Sequence, residues 1–209
     1  MMLNAKENPC PNEIVNAVTK FTRYRHKARG RARLSLVALY SIYSIFMGEL
    51  KRYHGLKLLP LQPSPQVGNR SPYAGDINVI KSDGSYFESI IFHHRTPVWS
   101  GLVNYLDYHK IQHWKIGRYY ILTTFEPSMK ELDELTEVIE EIGRTRQCEI
   151  IADGFVPTFE RYLLLLNHPA DFVEIYTENL LYDIERNGGV RIEHFRVWNE
   201  IRREMLVKN

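Results

Sequence analysis

The sequence predicts a single α/β domain, a mixed central sheet built from a hairpin and a βαβ unit, flanked by helices and closed by a helical C-terminal annex. Three observations predict it. Asp76 to His93 reads as two strands about an Asp-Gly turn. Between Arg118 and Asp153 an apolar β-branched run, a capped amphipathic stretch and a second apolar run follow one another. Beyond Pro157 the apolar spacing is helical throughout. The expected organisation is an N-terminal helix and basic arm over 1–33, a core over 34–166 and the annex over 167–209.

Each element has a local reason. Residues 12–22 place Ile14, Val15, Val18 and Phe21 on one stripe, which predicts a short helix. Leu34 to Tyr53 is apolar around most of its circumference and reads as a long buried helix with Glu49 near its end. The Pro- and Gly-rich stretch from Gly55 to Gly75 reads as an ordered loop. Asp76-Ile77-Asn78-Val79-Ile80 alternates as a strand, Asp83-Gly84 supplies the turn, and Tyr86 to His93 returns as its partner. Trp99 to Lys115 is expected to be helical, and Arg118 to Thr124 suits a buried strand. Ser128-Met129-Lys130-Glu131 has the form of a capping box, and Leu132, Leu135, Ile139 and Ile142 recur at helical spacing. Glu149 to Ala152 is the next strand, so strand, helix and strand make a parallel unit with a right-handed crossover. Three helices follow: Pro157 to Leu166, Pro169 to Ile184 and Arg191 to Val207, the last two separated by Asn187-Gly188-Gly189.

Composition excludes several classes. The 209 residues are 44% hydrophobic and 25% charged, values foreign to a disordered chain, a collagenous repeat or a coiled-coil rod. No apolar run approaches the roughly 20 residues that span a bilayer. No apolar core with a small-residue cleavage site opens the chain, so a cytoplasmic protein is expected. Cys10 and Cys148 fit no ligand spacing and read as reduced structural thiols. No Gly-rich phosphate loop, nucleophile elbow or Cys-x-x-Cys pair occurs, against an NTPase, an α/β-hydrolase and a zinc ribbon. His109 and His113 stand four apart with no third ligand evident and read as surface residues.

The net charge of +2 hides a division. Residues 1–125 carry 17 Lys+Arg against 7 Asp+Glu, and residues 126–209 carry 10 against 18, so +10 is set against −8. No acid occurs between Glu13 and Glu49, a stretch holding Lys20, Arg23, Arg25, Lys27, Arg29, Arg31 and Arg33 with Phe21, Tyr24 and His26 among them. Cations at this density point to a polyanion, duplex DNA first, through phosphate contacts and counterion release. The bland alternative is a solvated or partly disordered basic arm. RNA is a third possibility, through stacking on the interleaved aromatics.

Paired carboxylates can hold Mg²⁺ against a phosphodiester. Asp76 opens one strand of the hairpin and Glu88 lies on the other, so the two can converge, with Glu49 as a further candidate. Each also has an ordinary reading, Asp76 as a turn or cap residue and Glu49 as a solvent-facing helix end.

The arrangement resembles the PD-(D/E)XK nuclease core. Gly75-Asp76-Ile77, Asp83-Gly84, Phe87-Glu88, Arg118 to Thr124 and Cys148-Glu149-Ile150-Ile151 are similar to type II restriction endonucleases, and among these to the SacI-type group that accompanies cytosine methyltransferases. By pattern the likeness covers residues 34–182. It implies a restriction-endonuclease-like fold, Mg²⁺-dependent hydrolysis of a specific DNA site and a companion methyltransferase. It places Asp76 as metal ligand, with Glu88 and Glu49 completing the shell. A palindromic target calls for a homodimer. The chain departs from the family at the Glu-x-Lys motif, whose register falls on Ile91-Phe92-His93. Read as Glu88-Ser89-Ile90, the motif keeps a carboxylate but still lacks the lysine. Side chains alternate along a strand, so both registers hold only if a bulge intervenes. His93 can replace the lysine, since a neutral imidazole accepts a proton from water near neutral pH. The alternative function is a non-catalytic DNA-binding or regulatory subunit on the same scaffold.

Overall fold

In a computed structural model, which describes residues 8–63, 73–94, 115–125 and 127–207, the α/β expectation holds as a five-stranded mixed open sheet with six α-helices among those residues. The chain divides into two compact units, Met1–Ile45 with Phe159–Asn209, and Phe46–Thr158.

The second unit holds the sheet, in the order β1-β2-β3-β4-β5. Strands β1 (Lys57–Leu58), β2 (Ile77–Ile80) and β3 (Tyr86–His93) pair antiparallel. Strands β4 (Ile116–Thr123) and β5 (Glu149–Gly154) continue it in parallel. Lys81 to Ser85 close the hairpin. Gly84 takes φ +81°, which a side chain would strain, and Asp83 Oδ1 accepts from the Ser85 amide at 2.9 Å. The helix expected over Trp99 to Lys115, His109 and His113 included, lies all but its last residue outside the described residues, as do residues 64–72 of the Pro-rich stretch. That stretch is not all loop, since its start pairs with β2 as β1.

Helix α3 (Met129–Arg146) starts where its sequence says. Ser128 is the N-cap, its amide and hydroxyl donate to Glu131 Oε2 at 2.8 and 2.7 Å, and its Oγ accepts from the Glu131 amide. The hydrogen bonds hold the Glu131 carboxyl below its usual range. The apolar stripe of α3 buries Leu135 and Ile142 against Tyr119, Ile121, Cys148 and Ile150 on one face of the sheet. Truncating Leu135 to Ala there costs about 2–5 kcal/mol. Asp153 ties the end of β5 to the following helix, accepting from the Gly154 amide at 2.7 Å and the Thr158 hydroxyl at 3.0 Å.

In the first unit, α1 (Pro11–Arg23), most of α2 (Arg31–Glu49) and the annex enclose an aromatic core. The annex comprises α4 (Phe155–Leu163), α5 (Asp171–Tyr182) and α6 (Ile192–Val207), with one π-helical turn over Asp183–Asn187. Phe21, Tyr176 and Trp198 meet at centroid distances of 4.9 to 6.3 Å. Phe172 stacks on Tyr176 at 5.3 Å. The polar tips are satisfied: Tyr176 donates to the Leu34 carbonyl at 3.0 Å and Trp198 Nε1 to Thr177 Oγ1 at 2.9 Å. The long helix predicted over Leu34 to Tyr53 ends at Glu49, and a 3-10 turn over Lys51–Tyr53 follows Leu50, whose extended backbone breaks the run.

Candidate functional site

Two groups of residues carry chemistry, one in each unit. In the second unit the approach of Asp76 to β3 follows from its neighbours. Gly75 passes so close to β3 that a Cβ there would stand 2.4 Å from the Ile90 carbonyl oxygen, so only glycine fits. The Asn78 side chain closes the bend by donating to the Gly75 carbonyl and accepting from its amide, both at 2.9 Å. Ser89 Oγ donates to the same Asn78 oxygen at 3.0 Å. Asp76 is thereby seated on β3. Its amide donates to Ile90 O at 2.7 Å, and its carboxylate accepts from the Phe92 amide at 2.8 Å, between Ile91 and His93.

A bulge does intervene, but upstream of the motif. Val79 pairs with Glu88 while Ile80 pairs with Tyr86, leaving Phe87 as the extra residue. From Glu88 to His93 the pairing with Arg118 to Thr123 runs without a break. Glu88, Ile90 and Phe92 therefore lie on one face, and Ser89, Ile91 and His93 on the other. The structure thus does not gather Asp76, Glu88 and His93. Glu88 is wholly buried and points to the 3-10 turn, where Tyr53 donates to Oε1 at 2.6 Å and Arg52 Nη2 to Oε2 at 3.0 Å. The Arg52 guanidinium also lies over the Tyr53 and Phe87 rings, at 5.0 and 5.5 Å. Glu88 is held by this ion pair and hydrogen bond on the face opposite Ile91 and His93. Glu49 is the last residue of α2 and half-buried.

Mg²⁺ takes hard oxygen ligands in near-octahedral geometry, usually one or two carboxylates with waters. Beside the Asp76 carboxylate the alternate positions of β3 offer a branched alkyl side chain at Ile91 and an imidazole at His93, neither of which is a carboxylate. No group of three or more His, Cys, Asp or Glu side chains able to hold a metal forms among the described residues. Glu88 lies on the strand face opposite Asp76, so the shell expected of Asp76, Glu88 and Glu49 is not seen brought together among the described residues.

In the first unit the basic stretch is folded. His26 is the pivot, its Nε2–H donating to Phe21 O at 2.9 Å, with its ring edge-on to Phe21 at 5.3 Å and to His194 at 4.7 Å. His194 Nδ1 accepts from the Arg191 amide at 3.0 Å, so its proton sits on Nε2, directed at Ala28 O 3.4 Å away. Burial pushes both imidazoles below their ordinary value. For His26 the Phe21 carbonyl opposes and Arg31 adds to this, and for His194 the nearby His26 adds to it. Gly30, at φ +111°, crosses Gly189 so closely that a Cβ would lie 2.2 Å from its carbonyl oxygen.

The seven expected DNA contacts separate accordingly. Arg33 is buried, donating from Nε and Nη2 to Asp183 Oδ1 at 2.8 and 2.6 Å, and cannot meet a phosphate. Lys20 is exposed and pairs with Glu204 on α6. Arg31 is half-buried. Arg23, the last residue of α1, and Arg25, Lys27 and Arg29 on the pinned loop remain, all exposed. Sequence reasoning missed the residues that fix this loop, His194, Asp183 and Gly189. The Gly188-Gly189 pair was the one signal of them. Cys10 is exposed and Cys148 buried, both as free thiols. No helix is long and apolar enough among the described residues to cross a membrane.

No protein-family model matches the chain, and no curated protein matches it.

Proposed function

We propose that this chain binds duplex DNA through the loop between α1 and α2, on a restriction-endonuclease-like scaffold whose cleavage centre is incomplete. The observation that carries the reading is the pinned loop itself. Four exposed cations, Arg23 at the end of α1 and Arg25, Lys27 and Arg29 on the loop, sit on backbone fixed by Phe21–His26 and Gly30–Gly189. Their ordering cost is met in folding rather than on binding, which favours phosphate recognition over a solvated arm. Asp76, seated on β3 beside Ile91 and His93, supports the scaffold half of the reading: the family's carboxylate and lysine positions hold Ile91 and His93. The role is that of a recognition or regulatory subunit, as a homodimer on a palindrome or beside a companion methyltransferase.

A second reading is an active type II endonuclease that uses Mg²⁺. What favours it is the seating of the Asp76 carboxylate between Ile91 and His93. One experiment separates the two and tests the scaffold. Plasmid DNA is incubated with wild type, with Asp76→Ala and with Ile91→Glu/His93→Lys, in Mg²⁺ and in Mn²⁺, beside a gel shift. The expected result is salt-sensitive binding by all three and metal-dependent nicking by the double variant alone. Nicking by wild type that Asp76→Ala abolishes establishes the second reading. No salt-dependent binding by any of them refutes both.

A further inference from the structure

We infer that Tyr24 is the base-contacting residue of this loop, stacking on an unpaired or extruded base while the flanking arginines hold the backbone; the inference rests on the DNA-binding reading and deepens it. Phosphate contacts position a protein on nucleic acid, whereas contact with a base needs a group that reaches past them. Three rings interleave with the cations of this stretch, and the fold assigns them different work. Phe21 is wholly buried in the aromatic core. His26 is half-buried and holds the loop to His194. Tyr24 alone of the three is 47% exposed.

Its placement is built rather than incidental. Tyr24 follows the last turn of α1, where its amide donates to Phe21 O at 3.3 Å and its carbonyl accepts from the His26 amide at 3.0 Å. Its ring tilts at 59° against His26, with centroids 5.0 Å apart. Part of the ring is therefore backed by a side chain that is itself fixed, about half of Tyr24 is open to solvent, and its chain neighbours Arg23 and Arg25 are exposed. An aromatic platform next to cations in the chain suits a nucleobase joined to its phosphates, because every base offers a π-face. A fully paired duplex hides those faces in its stack, so the favoured ligand is DNA in which one base is free to leave it.

The test uses the full chain and short labelled DNA, with fluorescence anisotropy as readout. Wild type, Tyr24→Phe, Tyr24→Ala and Arg23→Ala/Arg25→Ala are titrated against a paired duplex and the same duplex carrying one bulged base, at several salt concentrations. Wild type should prefer the bulged duplex. Tyr24→Ala should lose about tenfold on it, the scale of one base–aromatic stack, with little loss on the paired duplex and an unchanged salt slope. Tyr24→Phe should keep the preference, and its thermal melt should match wild type. Equal affinity of wild type and Tyr24→Ala for the bulged duplex overturns the inference, as does an equal loss on both duplexes. If the arginine variant weakens binding and flattens the salt slope while Tyr24→Ala does neither, the DNA reading survives and only the role of Tyr24 falls. If wild type shows no salt-dependent binding to either duplex, both fall together.

Discussion

Replacing Arg33 with Ala should destabilise the first unit rather than remove a phosphate contact. Asp183 is 1% exposed and accepts four hydrogen bonds, two from Arg33 at 2.6 and 2.8 Å, one from Asn187 at 3.1 Å and one from the Val190 amide at 2.7 Å. The substitution removes the two charged donors and leaves a carboxylate in the interior with its neutral partners only. Stranding one member of a buried pair costs roughly 3–5 kcal/mol. For a chain of this size each kcal/mol moves Tm by about 2–4 °C, so a fall of roughly 6–20 °C is expected. Thermal melts followed by circular dichroism measure it, with the salt dependence of DNA affinity taken below the transition. A variant melting within about 2 °C of wild type, with a salt slope reduced by about one, would refute the reasoning. That result would place the guanidinium against a phosphate instead of Asp183.

Other expectations follow from the same contacts. Glu88→Ala leaves the Tyr53 hydroxyl and Arg52 without their buried acceptor. It should lower the urea midpoint sharply and leave the salt slope unchanged, whereas normal stability with loss of a Mg²⁺-dependent effect on DNA would return Glu88 to the metal site. His26 and His194 titrate below the ordinary value because burial favours their neutral forms, so the unfolded chain binds protons first. Their contribution is complete above about pH 6.5 and declines as pH falls through the native values. The urea midpoint should therefore drop between about pH 7.5 and 5.5, and drop less in His194→Gln; equal drops would dismiss the pair as its source. Ser128→Ala removes the cap of α3 and should cost about 1 kcal/mol in chemical unfolding, with no change in DNA affinity.

Local chemistry was legible in the sequence and distant chemistry was not. The capping box of Ser128, the Asp83-Gly84 turn and the Arg118 to Asp153 strand-helix-strand run each depend on residues a few positions apart, and all three stand as read. The seating of Asp76 was half legible: Gly75-Asp76 marked the place, but the partner amide belongs to Phe92 on another strand. The side taken by Glu88 was legible, since plain alternation sets it opposite Ile91 and His93 and the ladder from Glu88 to His93 is unbroken. Its partners were not legible, because Arg52 and Tyr53 lie 35 and more residues away on a turn that interrupts the expected helix. Charge density identified the basic stretch yet could not tell Arg33, an internal ion-pair member, from Arg29, an exposed one. That difference is made by Asp183.

The loop's fastenings also set an order of events. Arg33 waits for a partner 150 residues further along the chain, and Ala28 for one 166 residues further. During synthesis the basic loop is therefore made well before the segment that fastens it. Until Asp183, Gly189 and His194 have been made and have packed, its arginines sit on slack backbone. The geometry of the loop is thus a property of tertiary packing and cannot be reproduced by a peptide cut from residues 20–33 alone.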